Sequence, residues 1–148
     1  MPLETLFKAA NFAVLPFWLL LFLAPRWSWT QRLVHGPVVL FLLTPIYAFM
    51  LFGYGPAPDD FNFNSLYGVM IGFSVPHIVL AGWIHYLIFD LFVGAWEVRD
   101  AQRRGVSHFL VIPCLLATLM AGPVGLALYV TVRFLSERVL EYDEAGTL

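Results

Sequence analysis

Residues Ala81 to Trp96 read AGWIHYLIFDLFVGAW, an apolar run with His85 and Asp90 inside it. The run lacks proline and extends outward to about Val75–Trp96. That is close to the roughly 20 residues a helix needs to cross the hydrocarbon core. A charged side chain at the bilayer centre costs about 2.5–3.5 kcal/mol on insertion scales, so it turns toward protein and marks a functional site by default. Asp90 has no charged neighbour for several residues on either side. The stretch therefore predicts a membrane helix with a polar inner face.

The rest of the chain has the same character. Of 148 residues, 60% are hydrophobic and 12% charged, about half the charged share of a soluble domain. Three further apolar segments are expected to span, at about Leu6–Ala24, Pro37–Phe52 and His108–Phe134. Pro25 and Arg26 end the first, and Gly53-Tyr54-Gly55-Pro56 closes the second. The last is longer than a span requires and is interrupted by Gly122-Pro123. The expected fold is an all-α membrane protein, four transmembrane helices in one compact bundle, with residues 1–148 as a single integral membrane domain. The connection from Gly53 to Ser74 is long for a helix–helix loop. Its semi-apolar stretch FNFNSLYGVMIGF suits an interfacial or re-entrant position as well as a surface loop.

Net charge of −2 leaves no basic footprint for nucleic acid. The single cysteine, Cys114, excludes an internal disulfide and reads as a buried small hydrophobe. The start MPLETLFKAANFAVLPFW lacks a basic n-region and reads as a retained first helix, not a cleaved signal. With no Ser-rich transit segment, a bacterial inner membrane is the expected location. Loops one and three carry Arg26, Arg32, Arg99, Arg103 and Arg104, against Lys8, Arg133 and Arg138 on the other side. The positive-inside rule then places both termini on the non-cytoplasmic side. In that arrangement Lys8, Asn11, His77 and Arg133 lie toward the outer face and Asp90 lies deeper.

Helical spacing of about 100° per residue sorts the third span into stripes. Trp83, Asp90 and Glu97 recur every seven residues, and Tyr86 borders them. His77, His85, Phe92 and Trp96 form a neighbouring stripe. His85 and Asp90 stand about 140° apart, poor partners for one atom but able to flank an elongated ligand. Asn11, in the first span, needs a hydrogen-bond partner from another helix. Interhelical bonding that only holds the helices together would explain Asn11, His85 and Asp90 as well. Histidines with Asp90 also suit a metal or haem, although neither H-E-x-x-H nor a histidine box is present.

The segments FKAANFAVLPFW, WIHYLIFDLFVGAW and GPVGLALY, in this order over roughly Phe7 to Arg133, resemble the neoxanthin-synthase-like family. This is the abscisic-acid-deficient-four family of plastid membrane proteins and its bacterial relatives. The resemblance implies a carotenoid or related isoprenoid ligand. It also implies isomerisation of an epoxy-xanthophyll to an allene by acid/base chemistry, with no redox cofactor. An elongated polyene suits an apolar slot with aromatic walls and a few polar groups at depth. The expected catalytic pair is His85 and Asp90, with Asn11, Trp83, Tyr86, His77 and Trp96 as substrate-binding residues. The expected partners are the carotenoid and membrane lipid, with self-association into a homo-oligomer left open. A non-catalytic carotenoid- or lipid-binding membrane protein, and a metal or haem protein, are the rival readings.

Overall fold

Proline and glycine placement sets the helix boundaries. In the computed structural model, which describes residues 2–137, the elements are α1 (Leu3–Leu23), α2 (Ser28–Leu33), α3 (Val38–Ala48), a π-helical turn (Phe49–Gly53), α4 (Leu66–Gly72), α5 (Pro76–Arg104) and α6 (His108–Glu137). Pro76 opens α5, where its missing N–H is no loss. Gly105, with φ of 73°, closes it, and Val106 N–H donates to the Ala101 carbonyl at 2.9 Å, the six-residue return of a Schellman end. Pro45 removes one donor inside α3, and the wider π turn follows before the chain leaves at Tyr54.

The protein is all-α, with no strand among the described residues. Four helices are long and apolar enough to cross a membrane, at Leu3–Leu23, Ser28–Gly53, Pro76–Arg104 and His108–Ser136. The third runs eight residues past its expected end at Trp96, so Arg99, Asp100, Arg103 and Arg104 are helical and not loop residues. The long connection after Gly53 contains α4, capped by Ser65, whose hydroxyl accepts from Gly68 N–H at 3.0 Å. Leu66, Tyr67 and Met70 on this short helix are all exposed, as suits an interfacial segment.

The chain, expected as one domain, divides into two compact units that share α1 and α5. The first comprises Met1–Pro16 and Gly36–Phe89. In it α1 runs parallel to α5: Leu3 and Glu4 line a groove with Ser74 and Pro76, and Phe7 stacks near Trp83 one turn further on. The segment from α3 to Tyr54 runs antiparallel to α5, Tyr47 lying by His85 and Tyr54 by His77. Ala10, Val14, Leu43, Met50, Ala81 and Ile84 form its core.

The second unit comprises Phe17–His35 and Asp90–Leu148. Gly94 is required here, because a Cβ would come within 2.8 Å of the Trp18 ring. Gln102 Nε2 donates to the Pro25 carbonyl at 2.9 Å, which ties the chain just after α1 to α5 within this unit. α6 is not straight. Ala121 has φ −161° and ψ 72°, breaking it into residues 108–120 and 122–137. Against α5, Leu115 lies by Gly94 and Gly122 by Asp90, then Tyr129 by Trp96 and Arg133 by Asp100. The chain thus climbs along α5 and returns along it. In a straight helix residues 118 and 125 would stand about 10 Å apart along the axis. Here a Cβ on Gly125 would overlap the Thr118 backbone and hydroxyl. Gly122 and Pro123 make the reversal, and Gly125 lets the two arms touch.

Gly125→Ala puts a methyl group where the first arm already stands. We expect it to destabilise the detergent-solubilised protein by about 1–3 kcal/mol, the usual cost of overpacking. Gly105→Ala is strained by its positive φ but meets no atom within 4 Å. Its loss should be smaller, by roughly 1 kcal/mol, and thermal unfolding followed by circular dichroism compares the two.

Candidate functional site

The polar face of α5 continues through the second unit and is buried there. Asp90 is 8% exposed and its carboxylate lies directly against Gly122 at the α6 break, where any side chain would collide with it. Glu97, two turns on, is fully buried. Thr118 Oγ1 donates to Glu97 Oε1 at 2.8 Å, while Glu97 Oε2 has no hydrogen-bond partner among the described residues. Asp90 and Glu97 stand seven residues apart on one stripe of α5. The expectation that Asp90 faces protein holds in this unit, and the stripe that predicted it also carries Glu97.

Asp100, one further turn along, is a hub. Its Oδ2 accepts from Tyr129 Oη at 2.7 Å and Arg133 Nη1 at 3.2 Å, and its Oδ1 from Arg103 Nη2 at 3.0 Å and Arg104 Nε at 3.1 Å. Asp100 and Arg133 are 1% and 0% exposed. Two acceptor oxygens with four donors satisfy a charge that burial alone would make costly. This cluster corrects the expectation for Arg133. Expected near a span end facing outward, it is instead buried and bonded to Asp100 near the C-terminal end of α5. Sequence reading placed Asp100 in a loop. The signal that could have found it was the i, i+4 pair Tyr129 and Arg133, two polar groups seeking one buried acceptor.

In the first unit, Asn11 meets the partner its depth demanded. Trp83 Nε1 donates to Asn11 Oδ1 at 3.2 Å, and Asn11 Nδ2 donates to the Phe7 carbonyl at 2.7 Å. Tyr86 and Phe7 flank Trp83 with ring centroids 5.2 and 5.4 Å away. Asn11, Trp83 and Tyr86 are therefore brought together as one aromatic and amide wall. His77 is buried under Tyr54 and Gly55, its ring 5.3 Å from that of Tyr54. His85 stands on an exposed face, stacked at 4.4 Å on Phe89 and 6.2 Å from Tyr47. It belongs to the first unit and Asp90 to the second. Trp96 lies in the second unit, edge-on to Tyr129 at 5.6 Å, beside a groove of about 180 Å³ with Phe92, Val93 and Leu126.

Chemically, the second unit offers two buried carboxyl groups and a hydroxyl, a set suited to moving protons in an apolar medium. Among the described residues, no three His, Cys, Asp or Glu side chains are grouped to hold a metal ion. Cys114 is buried, its thiol donating to the Leu110 carbonyl at 3.3 Å.

Comparison with known proteins follows the same residues. The family model described as ABA DEFICIENT 4-like matches residues 5–129, which take in Asn11, Trp83, Asp90, Glu97, Asp100 and Tyr129. Protein ABA DEFICIENT 4, chloroplastic, of Arabidopsis thaliana is 27% identical over 121 residues, covering 76% of this chain and 55% of that protein. The chain thus spans about half the length of this curated relative. No solved structure matches.

Asp100→Ala removes the carboxylate that pairs with the buried Arg133 guanidinium and should cost about 3–5 kcal/mol. Tyr129→Phe removes one neutral donor to a charged acceptor and should cost about 1.5–3 kcal/mol. Denaturant titration of the protein in mild detergent measures both, and equal losses would contradict the hub.

Proposed function

This chain belongs to the ABA DEFICIENT 4-like family, and on that premise we propose that it is a carotenoid-directed isomerase of a membrane, in a bacterium the inner membrane. The proposed reaction converts an epoxide end group of a xanthophyll to an allene. One proton goes to the epoxide oxygen as its C–O bond breaks. One proton leaves a neighbouring chain carbon, whose electrons complete the allene. Proton count and oxidation level are unchanged, so the step needs an acid and a base.

The observation that carries this reading is the pair Asp90 and Glu97, two buried carboxyl groups on one stripe of α5 beside the reversal of α6. We assign the two proton transfers to them, with Thr118 holding Glu97 in place. The groove at Phe92, Val93, Trp96 and Leu126 supplies apolar surface next to them. His85, exposed and stacked between aromatic rings, is proposed as a polyene contact in the first unit, along with Asn11, Trp83, Tyr86 and His77. A second reading has its own support: Asp90 packs on Gly122 and Glu97 bonds Thr118, so both carboxyls also pin α6. In that reading the protein binds the carotenoid without converting it.

Turnover separates the two. Purified protein incubated with an epoxy-xanthophyll should yield an isomer of unchanged mass, resolved by chromatography. Asp90→Asn and Glu97→Gln should each lower the rate by about 10²–10⁴-fold, the usual share of general acid–base catalysis. The retained pigment spectrum should survive both changes. His85→Ala should weaken pigment retention more than turnover of what remains bound. Pigment bound with no isomer formed by the unaltered protein selects the binding reading.

A further inference from the structure

We propose that α6 is a re-entrant hairpin, entering and leaving the membrane through one face, so that its C-terminal end emerges beside the 105–107 connection. Three independent observations carry this. The first is length. The arms of residues 108–120 and 122–137 are about 20 and 24 Å long at 1.5 Å per residue. Each is short of the roughly 30 Å hydrocarbon core.

The second is contact order within the second unit. Gly122, at the tip, meets Asp90, and residues on either side of it meet α5 nearer its C-terminal end: Thr118 at Glu97 and Leu115 at Gly94 before the tip, Tyr129 and Arg133 at Asp100 after it. The arms are held together where Gly125 meets Thr118. The break is tolerable at depth because irregular backbone in a membrane survives only when protein covers it. Here α5 does so with Asp90.

The third is charge. With α6 re-entrant, Arg133 joins Arg26, Arg32, Arg99, Arg103 and Arg104 at one end of the second unit, through Asp100 and through the Gln102–Pro25 bond. Those are all six arginines of the described residues. A straight crossing would leave Arg133 among the outer residues and blur the asymmetry that orients membrane helices. The hairpin makes it one-sided.

Single-cysteine labelling tests the proposal in the full chain, in a Cys114→Ala background. Ser107→Cys and Ser136→Cys fall at exposed positions near the two ends of α6. In membrane vesicles of either orientation, an impermeant maleimide should label Ser107→Cys and Ser136→Cys together. Labelling of both should be lost in vesicles of the opposite orientation. A compartment-sensitive reporter fused after Leu148, with no internal substitution, should report the side of Ser107. If Ser136→Cys is labelled only in the orientation that leaves Ser107→Cys unlabelled, or is labelled from both sides, or if the reporter opposes Ser107, α6 crosses the membrane and the hairpin is wrong.

Discussion

The buried carboxylate of Asp100 is the interaction on which the second unit turns. It accepts from Tyr129 and Arg133 on the returning arm of α6 and from Arg103 and Arg104 on its own helix. Between apolar helices, association gains little from the hydrophobic effect, since lipid tails are as apolar as leucine. Directional bonds and close packing must then decide which surfaces meet. A charge that has no low-cost state except beside its partners does this well. Gly94 under Trp18 and Gly125 against Thr118 supply the close packing.

The same logic accounts for the glycine and proline at the α6 break. A helix can stop at depth only where its freed backbone groups are covered by protein. Ala121 leaves helical geometry, Gly122 admits the Asp90 carboxylate, and Pro123 begins the next arm without needing a donor. Asp90 therefore has a structural duty and, in the proposed chemistry, a proton-transfer role. The two are compatible, since a group fixed by packing is also one whose geometry is preorganised.

The first unit is built from a different material. Its polar contacts are few and its rings many: Phe7, Trp83 and Tyr86 on one side, Tyr47, His85 and Phe89 on another, Tyr54 over His77. Asn11 fixes the indole of Trp83 by its one polar handle. Such surfaces suit a long conjugated molecule, which offers flat apolar faces and almost nothing to hydrogen-bond. The family to which the chain belongs gives that suitability a direction.

Much of this was legible in the residues themselves. Composition sets the membrane class, because a chain with so few charges has no other medium. Periodicity places Asp90 and Glu97 on one stripe, and Gly122-Pro123 announces a break. These are local properties, fixed by helix geometry and by what glycine and proline permit. Partners are not local. That Asn11 meets Trp83, that His85 and Asp90 fall in different units, and that Asp100 belongs with Arg133 depend on which faces pack across long sequence separations. The direction of the chain after Ala121 depends on one pair of backbone angles, −161° and 72°. A hydropathy pattern is the same whether a helix continues or doubles back, so only tertiary packing decides which it does.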